Sequence, residues 1–385
     1  MKLAHGIPDA VLRSWEVVII GAGVAGTLAA LHLARAGVDV LLVDRARFPR
    51  YKVCGCCLSL RARRLLAEAG LGEAVARAGA LPLRDFQIHS KTNRALIPLP
   101  GGWVLSRERL DSILAEAACD AGATFINGVR AECDQIGPEG VRIRLINPLG
   151  SETVEAQSVI CADGLQGSFL RSPQVAPARV SRRARVGAGC LVDDAPKTYQ
   201  PGTIYMACGA AGYAGAVLLE DQRLNIAAAL DVDAVRAHGP ARAVGQLLAS
   251  ARLPVPGDIE QAAWKGTPAL TRRRLPGPRR MFFVGDAAGY VEPITGEGIA
   301  WAIEGGKVVA EHVKRLLRGA SGQEAQWNAA WRQIVGRHQW PCRVMSQILR
   351  HPRLVQGALG LVAVRPGLLN PLLRHINAEP RELHT

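Results

Sequence analysis

Residues 17 to 44, VVIIGAGVAGTLAALHLARAGVDVLLVD, decide how the chain begins to fold. A β-branched run, Val17 to Ile20, enters Gly21-Ala22-Gly23-Val24-Ala25-Gly26; a helical pattern continues through Ala36, and a second apolar run, Val38 to Val43, closes on Asp44. This is a βαβ unit carrying G-x-G-x-x-G with an acidic residue after its second strand, the pattern of a dinucleotide site. Gly21 permits the tight turn, Gly23 lets a pyrophosphate approach the backbone, and Gly26 lets helix and strand pack closely. Asp44 is placed to accept from a ribose hydroxyl, with Arg45 beside it as a further contact.

Two more strands end in an acidic residue beside a glycine. Val159 to Ala162 runs into Asp163-Gly164, and Met281 to Val284 runs into Gly285-Asp286. The second lies within RMFFVGDAAGYVEPITGEGIAWAIEGG, Arg280 to Gly306, where a loop punctuated by Pro293 and Gly296 leads into a helical pattern. That helix starts near Glu297 and Gly298 and keeps Ile299, Ile303, Val309, Val313 and Leu316 on one face. Its free N–H groups and positive dipole end suit an electron-rich ligand edge.

Between these motifs the pattern changes. Asp85 to Ile88 and Ala95 to Leu99 read as strands, as do Val186 to Val192, Thr203 to Cys208, Ala214 to Leu219 and Leu224 to Leu230, followed by a helix over Ala234 to Ala251. Thr124 to Ile126, Val141 to Leu145 and Thr153 to Ala156 read as small antiparallel pieces. Ser59 and Ser106 are placed to cap helices over Ser59 to Ala69 and Arg107 to Ala121. The fold class is therefore α/β: a Rossmann-like parallel sheet with helices, an inserted antiparallel β-sheet domain for substrate, and a helical C-terminal tail. The boundaries read as 14–80, 103–183 and 265–320 for the dinucleotide-binding domain, 81–102 and 184–264 for the substrate domain, and 321–385 for the tail.

Composition narrows the function less than the motifs do. The 385 residues are 49% hydrophobic, enough for a large core, and carry a formal charge of +14. The basic clusters, Arg182-Arg183 with Arg185, Arg272 to Arg274 and Arg279-Arg280, are short and lack interleaved aromatics, so they read as solvated faces and no nucleic-acid partner is expected. The first fourteen residues lack the pattern of a secretory signal, and no apolar run is long enough to span a bilayer, so a cytoplasmic location is expected. The nine cysteines then read as mostly free thiols. The tail from Cys342 to Ile376, apolar and basic together, covers either the protein's own core, the preferred reading, or a membrane surface as a peripheral contact. Oligomeric state is not legible in the sequence.

Taken together, GAGVAG with Asp44, CADG at 161 to 164 and GDAAGYVEPITGEGI at 285 to 299 resemble the FAD-dependent oxidoreductases of the p-hydroxybenzoate hydroxylase fold, and within them the geranylgeranyl reductase group. The resemblance covers roughly residues 15 to 320 and implies FAD as cofactor, with NADPH or NADH as electron donor. It implies that Gly21, Gly23 and Gly26 hold the pyrophosphate, Asp44 the adenosine ribose, and Arg107, in RERLD, the phosphate region. Asp163 would support the cofactor indirectly. Gly285 and Asp286 would meet its ribityl-phosphate end, and Pro293, Gly296, Glu297 and Gly298 would sit at the flavin's pyrimidine edge. The group's signature Y-x-x-C-G-G is matched by Tyr51, Cys54 and Gly55, while Cys56 stands at the second glycine. Cys54 and Gly55 are thereby expected beside the isoalloxazine, with Tyr51 and Cys54 as candidate catalytic residues.

Cys54 and Cys57 also have C-x-x-C spacing, which suits a redox disulfide, half a metal site, or simple packing. No histidine or cysteine stands at partner spacing, so no metal site is expected. Tyr205 and Tyr213 read as core residues before pocket residues.

Three functions follow. A monooxygenase driven by NAD(P)H, hydroxylating a hydrophobic small molecule of phenolic or polyketide type, is favoured because Cys56 interrupts the reductase signature and hydroxylation is the commoner use of the fold. A reductase of carbon–carbon double bonds in an isoprenoid or other lipid is the alternative, with Tyr51 or Cys54 delivering a proton. A flavin electron-transfer protein without substrate turnover is the third. Halogenases share the fold, but their W-x-W-x-I-P segment is not found.

Overall fold

The computed structural model describes residues 7, 12–165, 167, 169, 175, 178–274, 277–292, 294 and 296–369. Its first sheet runs in the order Thr124–Asn127, Val40–Asp44, Ser14–Ile20, Gly150–Cys161, Val141–Asn147, Arg130–Ile136, with Met281–Phe283 attached to Gly150–Cys161. Val17 to Ile20 and Val40 to Val43 are buried on both faces, as continuous apolar runs in a covered parallel sheet must be. Val17 and Ile19 face the helices Val24–Arg35, Arg107–Asp120 and Gly298–Leu317. Val18 and Ile20 face a second core with Ile126, Ile143, Leu145 and Phe169.

Gly306 lets the helix Gly298–Leu317 lie directly on the helix Val24–Arg35. A Cβ at Gly306 would stand 2.7 Å from the Ala25 carbonyl oxygen and 2.8 Å from Leu28 Cβ, so only a bare backbone fits. The start of the helix Gly298–Leu317 is thus brought beside the glycine fingerprint.

Of the three pieces read from sequence as small and antiparallel, Val141–Asn147 is antiparallel to both its neighbours and the other two are organised differently. Thr124–Asn127 pairs parallel with Val40–Asp44. Thr153 to Ala156 and all but the last residue of Val159 to Ala162 belong to one twelve-residue strand, Gly150–Cys161. Its first half pairs antiparallel with Val141–Asn147, and its second half pairs parallel with Ser14–Ile20 and Met281–Phe283. The polar break at Gln157-Ser158 hid this continuity. Ser158 is fully buried, and its hydroxyl donates to the Arg280 carbonyl at 3.1 Å.

The second sheet runs Lys265–Ala269, Val186–Val192, Leu224–Leu230, Gly212–Leu218, Thr203–Gly209, Asp85–His89, Arg94–Pro98. Lys265–Ala269, assigned from sequence to the dinucleotide-binding part, is an edge strand here, so the crossing back to the first sheet comes after residue 269 rather than before 265. One face packs on the helix Val232–Ser250 through Val244, Leu247 and Leu248. That helix is broken at Gly239 (φ 72, ψ 166) before Pro240, which cannot donate to the preceding turn. Towards the C-terminus come helices Gln323–Ile348 and Pro352–Val364. No described helix is long and apolar enough to cross a membrane.

One buried ion-pair group fastens two elements of the first domain. Arg61, 3% exposed on the helix Leu60–Glu68, hydrogen-bonds Glu304 and lies 3.8 Å from Glu297. Removing one member of a buried ion pair leaves the other charge uncompensated. Arg61→Met is expected to cost about 3–5 kcal/mol in thermal or urea unfolding, and Arg61→Met with Glu304→Gln less than the single change.

Candidate active site

Between the two sheets lies a cavity of about 570 Å³ that runs from the glycine fingerprint to the inner face of the second sheet. Gly21, Gly23, Asp44, Arg45, Tyr51, Cys54, Gly55, Asp163, Asp286 and Gly296 line it, so most of the residues singled out from sequence meet at one place. At the far end the wall is apolar, with Phe86, Ile88, Ile97, Leu99, Ile204 and Met206.

Four sequence-derived site residues work from behind the wall or at its turns. A Cβ on Gly26 would be 1.9 Å from the Gly21 carbonyl oxygen, which fixes the fingerprint's shape. Gly285, at φ +61, turns the chain against Ala25. Gly298 opens its helix, and a Cβ there would meet nothing within 4 Å. Glu297, expected at the flavin edge, is 1% exposed, does not line the cavity, and pairs with Arg61. Its backbone stands at the start of the helix Gly298–Leu317, and its side chain lies against Arg61. Pro293 lies outside the described residues.

The phosphate end is built from one helix and one loop. Arg107, in the first turn of the helix capped by Ser106, makes two hydrogen bonds of 2.9 Å to Asp111 one turn later. Asp111 is fully buried and also pairs with Arg50 at 3.1 Å. Lys52 lies 3.7 Å from Asp286. A Cβ placed on Gly23 would stand 3.7 Å from Arg50 Nη2, 3.8 Å from Lys52 Nζ and 3.9 Å from Arg107 Nη2. Three cations therefore surround the bare backbone at the N-terminus of the helix Val24–Arg35, where free N–H groups already favour an anion. Asp44 accepts from the backbone N–H groups of Ala22 and Ala46, both at 2.8 Å, and Oδ2 also meets Arg50 at 3.5 Å, so both oxygens are oriented and Oδ1 keeps a further lone pair. These groups fit a dinucleotide diphosphate and its ribose.

Arg50, Lys52 and Asp111 carry no motif. The signal that could have found them is spacing: Asp111 one turn after Arg107, and two cations flanking Tyr51.

The loop Tyr51 to Cys57 forms the other end. Asn225, on the second sheet, donates from Nδ2 to the Cys54 carbonyl at 2.9 Å and so ties the loop to the substrate domain. A hydrogen bond from the Cys56 thiol pulls Cys54 well below the ordinary thiol range, and the Arg107 guanidinium adds to this against the cost of burial. Cys56 is pushed up by the same bond and by burial, and Cys57 is pushed up by burial. Burial likewise raises Tyr51, whose hydroxyl is enclosed and has no hydrogen-bond partner, so the phenol keeps its proton. All nine cysteines are free thiols.

Of the two strand tyrosines, Tyr205 is core, donating to the Thr198 carbonyl at 2.9 Å on the helix-covered face. Tyr213 lines the cavity. Beneath it, fully buried Arg185 bonds Asp231 at 3.1 Å and Glu292 at 3.2 Å.

Two outcomes follow from this geometry. Gly23→Ala fits the protein alone, since every neighbour of the new Cβ is at ordinary contact distance, yet it fills the space a pyrophosphate needs. The apoprotein's melting temperature is expected to stay unchanged while the Kd for FAD, read by flavin fluorescence, rises at least about tenfold. The depressed Cys54 thiol stays ionised as pH falls through neutrality. Its alkylation by iodoacetamide, followed by peptide mass, is expected to slow only a few-fold between pH 8.5 and 6.5, where a thiol of ordinary pKa slows about fiftyfold. Arg107→Met should restore the steeper profile.

Comparison with known proteins agrees with this arrangement. Residues 14–202 match the family model described as an FAD binding domain. The menaquinone reductase of Mycolicibacterium smegmatis is 26% identical over 92% of this chain and 89% of its own. The digeranylgeranylglycerophospholipid reductase 2 of Methanothermobacter thermautotrophicus is 25% identical over 84% of this chain and 85% of its own. Among solved structures, the p-nitrophenol 4-monooxygenase of Pseudomonas putida DLL-E4 superposes with a TM-score of 0.77 at 15% identity, covering 96% of this chain and all of the other. The flavin-dependent brominase Bmp2 does so with 0.77 at 17%, covering 94% and 93%. Residues 14–202 thus carry an FAD-binding domain, and the chain has the fold of the flavin-dependent monooxygenase and brominase on which it superposes.

Proposed function

We propose that the protein reduces carbon–carbon double bonds in a hydrophobic, isoprenoid-type lipid, with FAD as its cofactor and NADPH or NADH as the electron source. The observation that carries this reading is the backbone of Cys56. Hydroxylation was favoured from sequence because a side chain replaces the signature's second glycine. Cys56 nevertheless has φ 56, the left-handed conformation that glycine adopts freely. Its side chain turns into a buried cluster with Leu83, Val104, Val217 and Leu219, and a Cβ on the adjoining Gly55 would meet nothing within 4 Å. The loop therefore keeps the shape and clearance of the glycine signature. The relatives aligned along most of the chain are named as reductases of menaquinone and of digeranylgeranylglycerophospholipid, which supports the same choice.

Bound FAD would supply the hydride. The apolar wall formed by Phe86, Ile88, Ile97 and Met206 would orient a hydrocarbon chain and exclude water from it. Addition of two hydrogens also needs a proton, and the two candidates from sequence now differ. Cys54 is biased towards the thiolate and Cys56 holds the shared proton, so Cys54 is poorly suited as acid. Tyr51 keeps its proton through neutral pH and is the group we assign as donor.

The test is anaerobic reduction of the purified holoprotein with NADPH or dithionite, incubation with a panel of isoprenoid lipids and phenols, and admission of oxygen to a parallel set. A mass gain of two hydrogens without oxygen is expected. A gain of one oxygen atom would move the assignment to hydroxylation, and flavin bleaching with no product from any substrate would move it to electron transfer. Tyr51→Phe is expected to lower kcat about 100-fold while leaving FAD content unchanged.

A further inference from the structure

The helix Pro352–Val364 is apolar on the wrong side as well as the right one. Val355, Leu359 and Val362 turn inward and pack with Ala95, Ile97 and Met206 on the second sheet. The outward face carries Leu354, Gly357, Ala358, Leu361 and Val364, and the short turn after it adds Leu368. Leu354 is 57% exposed, Leu361 59% and Val364 79%. These positions recur every three or four residues, so they form one stripe along the helix. A helix on a protein surface ordinarily presents charged and polar residues there. Among the described residues of this helix and the turn after it, the charged side chains are exposed Arg353 and Arg365, one at each end of the stripe.

The preceding helix, Gln323–Ile348, continues the pattern. Trp340, 68% exposed, and Val344 share one face one turn apart, with exposed Arg343 between them. The next positions along this connection, Met345 and Leu349, line the inner cavity.

We infer that the outward faces of these two C-terminal helices form a docking surface for an anionic lipid bilayer. The apolar stripe would sink to the level of the acyl chains, Trp340 would sit at the headgroups, and Arg343, Arg353 and Arg365 would meet lipid phosphates. An apolar stripe closed by arginines matches that partner in both polarity and charge, and the chain's formal charge of +14 favours an anionic surface over a neutral one. Docking here sets the cavity wall at Met345 and Leu349 next to the bilayer, so an apolar substrate would have a short path between them. The inference goes beyond the proposed reaction and is tested without turnover, so the two can fail separately.

The experiment is flotation of the full FAD-loaded chain with phosphatidylcholine vesicles, with and without phosphatidylglycerol. The chain is expected to float with the anionic vesicles and to remain largely at the bottom with the neutral ones. Leu354→Ser/Leu361→Ser/Val364→Ser should reduce binding at least about tenfold, and Arg353→Glu/Arg365→Glu should bring it down to the neutral-vesicle level, with flavin content and melting temperature unchanged in both. Failure of the native chain to float, or flotation of the triple variant at the native level, would overturn the proposal. A native dimer that the triple variant turns into a monomer would assign the stripe to a second copy, and flotation only after cutting the chain behind residue 369 would assign it to the tail.

Discussion

The buried carboxylate of Asp111 is the constraint on which the site depends. It grips Arg107 with two parallel hydrogen bonds and holds Arg50 from the other side, so two guanidinium groups that would otherwise repel are fixed close together. Their Nη2 atoms, with Lys52 Nζ, then converge on the bare backbone at Gly23. Because Asp111 sits behind the arginines, the cations present an ordered set of donors to the front, ready for a diphosphate. The same Arg107 pulls on the Cys54 thiol. One carboxylate in the core thereby links the phosphate end of the cavity to its reactive end.

Ion pairs of this kind recur where distant segments must be held in one arrangement. Arg61 joins the helix after the cysteine loop to both ends of the first turns of the helix Gly298–Leu317, through Glu297 and Glu304. Arg185 joins the second sheet to Glu292 and, through the Leu349 carbonyl, to the C-terminal helices. Each replaces what packing of apolar side chains would do with less geometric specificity. The energetic reason for keeping them is asymmetric: a complete buried pair adds little net stability, whereas a broken one costs several kcal/mol. The cavity between the sheets thus has walls that cannot slide without separating charges in a dry interior.

What the sequence disclosed, and what it hid, follows the same division. The βαβ unit was legible because apolar periodicity and glycine positions are local, and Gly21, Gly23, Asp44, Asp163 and Asp286 indeed come together. Arg50, Lys52 and Asp111 were not legible, because a cationic cradle assembled from a loop and a helix has no local spacing rule. The Glu297 side chain could not be placed from sequence for the same reason: Arg61, against which it packs, is more than two hundred residues away. The strand Gly150–Cys161 was split at Ser158, whose buried hydroxyl is satisfied by a carbonyl from Arg280 that only the folded sheet supplies. Lys265–Ala269, with Gly266 and Pro268, lacks strand propensity altogether and is a strand because it sits at an edge, where proline is tolerated.

Cys56 is held by the same kind of constraint. A side chain at φ 56 costs about 1–2 kcal/mol that glycine would not, and such strain persists only where the surroundings impose it. The surroundings here are the apolar cluster that takes up the Cys56 side chain, the Asn225 bond to the Cys54 carbonyl, and Arg107 facing the Cys54 thiol. Together they over-determine the loop, so a residue unsuited to the conformation is carried in it. A thiol at this position in turn donates to Cys54, which a glycine could not do. The contact with Cys56 and the Arg107 guanidinium lower the Cys54 thiol, and the same contact together with burial raises Cys56. A cysteine where a glycine would fit thus keeps the loop's left-handed turn and changes its acid–base character, and of the two groups proposed as proton donor this favours Tyr51 over Cys54.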